Sequence, residues 1–237
     1  MSEWSYQPAA DQELPPGQRL RSVRRETGVT GAIAHYGWGT FVRLYLRAYH
    51  RLHIEGRENL PVDAPFVVIA NHSSHLDALT IATALPWRLR RKAYPIAAGD
   101  TFFESHTTAF FSAIMLNALP MWRKRTVRHA LDQLRQRMLE EPCGYILFPE
   151  GTRSRTGELG TFRSGIGMLI AGTAVPAIPC CLSGAHDAWP PTSRVPRPRP
   201  IQIRIGKALR FPDTPNERSG WNDVAKQLEA AVRELRN

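Results

Sequence analysis

The chain of 237 residues carries 31 Lys and Arg against 21 Asp and Glu, a formal charge of +10, and 43% of its residues are apolar. That composition excludes wholesale disorder, and the length suffices for one α/β domain whose core needs no staples. The positive excess calls for an anionic partner, whether nucleic acid, anionic lipid or a phosphorylated small molecule, and charge alone does not choose among them.

Residues 1–28 are polar and broken by Pro8, Pro15, Pro16 and Gly17, which predicts a flexible tail without a secretory signal. The nearest approaches to a membrane span are Val29–Val42, interrupted by His35 and several glycines, and the short Phe110–Met121, so no transmembrane span is expected. From Phe41 to Leu52 apolar residues fall at 41, 44, 45, 48, 49 and 52, and Arg43, Arg47, His50 and Arg51 fall opposite. This is a helical period with a cationic face. It suits a helix lying on an anionic membrane, and equally one packed on the domain with its basic face in water.

Pro61–Pro65 reads as a turn. Phe66–Ala70 is a continuous apolar run, β-branched at its centre, and reads as a buried strand. Helices are expected at Asp77–Leu85 and Phe102–Leu119. Another runs from a Thr126 cap to Leu139, with Val127, Ala130, Leu131, Leu134 and Met138 on one face. Further helices are expected at Phe162–Thr173 and from Trp221 to Leu235. Strands are expected at Ala93–Ala98, Gly144–Phe148 and Val175–Leu182, and Ile201–Ile205 alternates like a half-exposed strand. Pro190–Pro200 is an extended cationic loop, and no internal repeat is present. Alternating strands and helices predict a single α/β domain with a central, largely parallel mixed sheet flanked by helices, and ligands gathered at strand carboxyl ends. Cys143, Cys180 and Cys181 show no CxxC spacing and read as reduced structural thiols.

Two blocks carry chemistry. The first, Asn71-His-Ser-Ser-His-Leu-Asp77, follows the buried strand. A carboxylate five residues beyond a histidine can accept the Nδ1–H, fix the tautomer and leave Nε2 to take a proton from a hydroxyl. This is the base–orienter half of a triad without a protein nucleophile, so a substrate alcohol would attack. Spacing alone does not choose between His72 and His75 as the base, and Asp77 can also be read as a helix N-terminal acid. A metal reading of these side chains finds no further ligand cluster in the sequence. The second block is Phe148-Pro-Glu-Gly-Thr-Arg-Ser154. Gly151 permits a tight turn, Thr152 offers a hydroxyl, Arg153 a fork for phosphate or carboxylate, and Glu150 can orient that arginine. A plain strand-to-loop turn with a surface arginine is the simpler reading of this block alone.

Together the blocks resemble the glycerolipid acyltransferase family of the lysophosphatidic-acid acyltransferase type, with its H-x4-D and EGTR signatures in the right order and separation. Leu119-Pro-Met-Trp-Arg123 stands where that family has a third motif ending in Arg, with Met-Trp in place of the usual Ile-Asp. Val175-Pro-Ala-Ile-Pro179 resembles the fourth, apolar block. The resemblance covers roughly residues 66–182. It implies His72 as catalytic base and Asp77 as its orienting acid, with His75 in a variable slot. It implies Arg123, Glu150, Gly151, Thr152 and Arg153 as the substrate-binding set, Pro179 as structural, and Arg163 as added charge near the site.

The implied reaction is direct attack of a lysophospholipid hydroxyl, as in 1-acylglycerol-3-phosphate, on an acyl thioester, acyl-CoA or acyl-ACP, with oxyanion donors among backbone N–H groups. No acyl-enzyme forms, in keeping with the lack of a G-x-S-x-G elbow. No metal or cofactor is required. The altered third motif keeps a lyso-aminolipid or glycolipid acceptor open. A basic lipid- or nucleic-acid-binding module is the rival class, and the clusters Arg88–Lys92 and Arg123–Arg128 come without any nucleic-acid-binding signature. The expected organisation is a tail at 1–28, an amphipathic membrane-associating segment at 29–60 and the acyltransferase domain at 61–237. The expected location is cytoplasmic, peripheral on the inner face of the cell membrane, with an anionic membrane surface as partner and no nucleic acid.

Overall fold

The computed structural model describes residues 14–22, 25, 28–99, 103–121 and 127–236. Eight strands build the sheet: β1 His53–Glu55, β2 Phe66–Ala70, β3 Ala93–Ala98, β4 Leu119–Met121, β5 Gly144–Leu147, β6 Thr173–Ser183, β7 Gln202–Ile205 and β8 Leu209–Phe211. Their order is β1-β7-β6-β2-β5-β3-β4, with β8 also on β6. All pairings are parallel except those of β6 with β7 and β8. This is the α/β, largely parallel mixed sheet that the alternating pattern predicts.

The central strand explains its own sequence. All five residues of β2 are buried, because helices cover both faces of the sheet. Val67 and Ile69 enter a core shared with Leu134, Leu169, Val224 and Leu228 from the helices Val127–Glu140, Gly165–Ile170 and Arg218–Glu234. Phe66, Val68 and Ala70 enter the opposite core, with Val42 and Leu46 of helix Val29–Tyr49 and Ile81 of helix Asp77–Ala84. Strand β7 alternates as expected, with Ile203 and Ile205 buried and Gln202 and Arg204 half-buried. The three cysteines are free and buried.

Several expectations need correction. Phe102–Leu119 is not one helix. His106–Phe110 is α-helical, Phe111–Met115 continues as a π-turn, and Leu119–Met121 leaves as β4. Asn117 there has φ +54, which no helix continues through, and its backbone turns the chain into pairing with β3. The helix expected at Phe162–Thr173 is confined to Gly165–Ile170, because Thr173 already pairs with Phe211 in the sheet. The amphipathic segment is a longer helix, Val29–Tyr49, and the face it buries is His35, Gly39, Val42 and Leu46. Phe41, Leu44 and Ala48 point outward instead. His50, expected on the cationic face, is fully buried between Arg199 O and the Tyr45 hydroxyl, each 3.1 Å away. Within 1–28, Pro16–Arg19 is a helical turn whose Gln18 and Arg19 are exposed, and buried Arg25 donates to Ala118 O at 3.0 Å and Asn117 Oδ1 at 3.1 Å; residues 1–13 of the expected tail lie outside the described residues.

Candidate active site

The site lies at the carboxyl ends of β2 and β5, which run side by side with Ile69 opposite Leu147. Beyond Ala70 the ladder is continued by a side chain. The Asn71 amide donates to Leu182 O at 3.0 Å and accepts from Leu182 N at 2.8 Å, closing two bonds to β6. His72 therefore leaves the sheet from a fixed point. Its Nδ1–H donates to Asp77 Oδ2 at 2.8 Å. The same oxygen accepts from Ser73 N at 2.7 Å and Ser74 N at 2.8 Å. Asp77 is fully buried at the start of its helix, where a negative charge is favoured. The carboxylate thus holds both the turn and the imidazole. One imidazole face stacks on Phe148, with centroids 4.1 Å apart and planes 16° from parallel. His72 Nε2 has no partner among the described residues. The Ser74 hydroxyl of the motif donates to Trp189 O at 2.8 Å.

The second block locks onto the first. Glu150 Oε1 accepts the His72 backbone N–H at 2.7 Å, and Oε2 accepts the Gly160 N–H at 3.0 Å. Ser154 N donates to His72 O at 2.7 Å. Glu150 therefore does not orient Arg153, as the sequence suggests. It clasps the two motifs together, because the β2–β5 pairing brings its carboxylate under the His72 backbone. Burial pushes its carboxyl upward from the ordinary value, and the two N–H donors oppose that shift. Gly151 has φ +77, so the turn favours glycine, and a Cβ there would also stand 2.9 Å from Arg163 Nε and push that side chain aside. Arg163 Nε in turn donates to Glu150 O at 3.2 Å.

Arg153 points at His75. Its Nη1 lies 2.5 Å from His75 Nδ1, and His75 packs against Trp189 with centroids 5.1 Å apart. Burial, and after it the Arg153 charge, lowers the His75 imidazole pKa. A neutral His75 can accept from Arg153, which gives the variable slot a task that spacing did not reveal. Arg123 lies outside the described residues.

Two cavities meet at this point. One, about 380 Å³, is lined by His72, His75, Phe148, Gly151, Thr152 and Arg153 with apolar residues of β3. The other, about 430 Å³, is lined largely by apolar residues, among them Leu131, Ile166, Met168 and Trp221, with Arg128 and Arg163 in its wall. Met121, Leu147 and Phe148 line both. Among the described residues no three His, Cys, Asp or Glu side chains group as metal ligands.

Of the predicted set, the structure brings together His72, Asp77, Glu150, Gly151, Thr152 and Arg153. Sequence reasoning missed Asn71, Phe148 and the Arg153–His75 contact. A polar residue ending a wholly buried strand was the available signal for Asn71; the other two depend on the β2–β5 pairing.

Fold and site together present an α/β protein with a hydrogen-bonded His–Asp pair at its strand ends and an adjoining cleft that is partly apolar and partly cationic. Comparison with known proteins places the fold and the family. The family model described as Acyltransferase matches residues 51–183, more than half of the sequence, and the chain belongs to that family. A chloroplastic 1-acyl-sn-glycerol-3-phosphate acyltransferase of Arabidopsis thaliana is 32% identical over 152 residues, covering 60% of this chain and 38% of the plant protein. The 1-acyl-sn-glycerol-3-phosphate acyltransferase alpha of Homo sapiens is 27% identical over 176 residues, covering 73% of this chain and 58% of the human one. The chain thus spans about two fifths to three fifths of these relatives' lengths. The crystal structure of the 1-acyl-sn-glycerophosphate acyltransferase PlsC of Thermotoga maritima shares the fold, with a TM-score of 0.65 at 22% identity over 86% of this chain and 79% of that one.

Proposed function

We propose that the chain transfers a fatty-acyl group from an acyl thioester, acyl-CoA or acyl-ACP, to the hydroxyl of a lysophospholipid such as 1-acylglycerol-3-phosphate. The observation that carries this reading is the His72–Asp77 pair, with Nε2 unpartnered and His72 lining the same cavity as Thr152 and Arg153. In the proposed reaction the acceptor oxygen attacks the thioester carbonyl while Nε2 removes its proton. Asp77 holds the tautomer and steadies the imidazolium. The C–S bond then breaks, and the imidazolium proton passes to the departing thiolate. The Thr152 and Arg153 backbone N–H groups, without partners among the described residues, are our choice of oxyanion donors. Arg153, Thr152 and the Gly151 turn would hold the acceptor phosphate. The role given to Arg123 rests on the resemblance alone. The largely apolar second cavity offers room for an acyl chain.

The site of action would be a membrane surface, reached from the cytoplasmic side. Ile33, Phe41 and Leu44 of helix Val29–Tyr49 are exposed, at 68%, 58% and 63%, and so are Phe110 and Phe111. Trp38 bridges the two groups, with its ring 5.6 Å from Phe111. Apolar side chains flanked by arginines suit peripheral attachment to an anionic bilayer. No helix among the described residues is long and apolar enough to cross a membrane.

The test is acyl transfer by purified protein to a panel of lysolipids, read by lipid mass spectrometry. His72→Ala should fold and lose about 10²–10⁴-fold in kcat. Normal turnover by that variant would refute the mechanism, and preference for an acceptor without phosphate would refute the acceptor class.

A further inference from the structure

A second group of cations stands away from the catalytic cleft. Arg43 and Arg47 project from one side of helix Val29–Tyr49, one turn apart, and Arg57 from the 3-10 turn Arg57–Asn59. With Leu52, Ile54 and Thr83 they line a cavity of about 250 Å³. It shares no lining residue with the cleft of His72 and Arg153. It meets helix Asp77–Ala84 at its carboxyl end, whereas Asp77 stands at the amino end.

One of the three arginines is fixed in place. Arg43 Nη2 donates to Thr83 O at 3.2 Å and Leu85 O at 3.4 Å, carbonyls at the helix end where a cation is favoured. The Arg47 and Arg57 side chains have no hydrogen-bond or ion-pair partner among the described residues. No Asp or Glu lines the cavity. Three guanidinium-bearing side chains around one small cavity repel one another until an anion stands between them. Their planar forks match phosphate oxygens. Leu44, exposed on the same helix, lies one residue from Arg43, so an anion held here would sit beside the apolar surface assigned to the bilayer.

We propose that Arg43, Arg47 and Arg57 form a second phosphate site, which takes the phosphate of a glycerophospholipid headgroup at the membrane surface. The lipid source rests on the membrane reading above; the phosphate chemistry does not. Arg57 is the discriminating residue because it lies off the helix. Diffuse attraction between helix and bilayer would weigh Arg51, exposed just beyond the helix and outside the cavity lining, at least as heavily.

The full chain and its variants Arg47→Ala, Arg57→Ala, Arg57→Lys and Arg51→Ala would be titrated with vesicles of phosphatidylcholine alone and of phosphatidylcholine with phosphatidic acid. In parallel, inorganic phosphate would be titrated with thermal unfolding as the readout. Transfer to a short-chain soluble acceptor reports that each variant is folded. Arg57→Ala and Arg47→Ala should weaken binding to phosphatidic-acid vesicles about tenfold or more, Arg57→Lys should recover part, and Arg51→Ala should have a clearly smaller effect. A shift with inorganic phosphate that Arg57→Ala removes assigns the site to the free anion as well; a loss seen only with vesicles assigns it to the headgroup. Equal losses for Arg51→Ala and Arg57→Ala overturn the site in favour of diffuse surface charge. Wild-type vesicle binding that survives Arg47→Ala and Arg57→Ala overturns the site and leaves the membrane reading standing. A wild type that binds no vesicle and shows no Arg57-dependent phosphate shift overturns both.

Discussion

Replacing Glu150 by Ala separates a clasp from a substrate ligand. The side chain is 8% exposed and accepts two backbone N–H groups, from His72 at 2.7 Å and Gly160 at 3.0 Å. Removing it leaves both donors without their acceptor. Each such donor costs about 1–3 kcal/mol, and water entering the space would offset part, so a total of about 2–4 kcal/mol is expected. For a chain of this size that lowers Tm by roughly 4–16 °C. The His72 backbone would also lose the anchor that presents its ring to the cleft, so kcat should fall while acceptor KM changes little. Glu150→Gln keeps one good acceptor and should lose about half as much stability as Glu150→Ala. Thermal unfolding and steady-state kinetics on the three proteins decide the matter. A Glu150→Ala protein with wild-type Tm and kcat, and a raised acceptor KM, would return Glu150 to the substrate site and refute the clasp.

Two other predictions concern the phosphate end. Arg153→Ala should raise acceptor KM about 10- to 150-fold with little change in donor KM, and Arg153→Lys should recover only part, because a point charge lacks the fork; unchanged acceptor KM in both would remove Arg153 from the site. His75 faces Arg153, Asp77, His72 and the Trp189 ring, and its folded pKa lies below the ordinary 6.5. As pH falls below 6.5 the unfolded chain takes up this proton first, so the folded state loses stability until pH passes the folded value. Protonated His75 cannot accept from Arg153, so acceptor KM should rise on that acid limb in wild type and stay flat in His75→Asn. An identical KM profile in His75→Asn would end the positioning role.

What the sequence disclosed follows from where its signals are local. The β2 run Phe66–Ala70 and the turn it feeds are contiguous, and the His72–Asp77 bond closes over five residues, so residue order alone predicts them. Glu150 was misread because its partner is fixed by a β2–β5 register that no local pattern encodes. The segment after Phe102 was misread because Ala109–Leu116 is apolar at every position but Ser112 and gives no helical phase; the turn at Asn117 and the pairing of β4 decide it.

Helix Val29–Tyr49 shows the limit most sharply. Its sequence has apolar residues on two sides, and periodicity states that faces differ without saying which one meets the protein. Contacts with helix Asp77–Ala84 and the Phe111–Met115 turn select Val42 and Leu46 for the core and leave Phe41 and Leu44 outside. That outcome is what turns a helical period into an argument about membranes. Had Phe41 and Leu44 been the buried pair, the arginines would have been an ordinary solvated face. With the helix seated as it is, an apolar surface and an arginine cavity lie on neighbouring sides of one element. Arg43 also holds the carboxyl end of the helix that begins at Asp77, so the surface assigned to the bilayer and the carboxylate that orients His72 are joined by a single helix of eight residues.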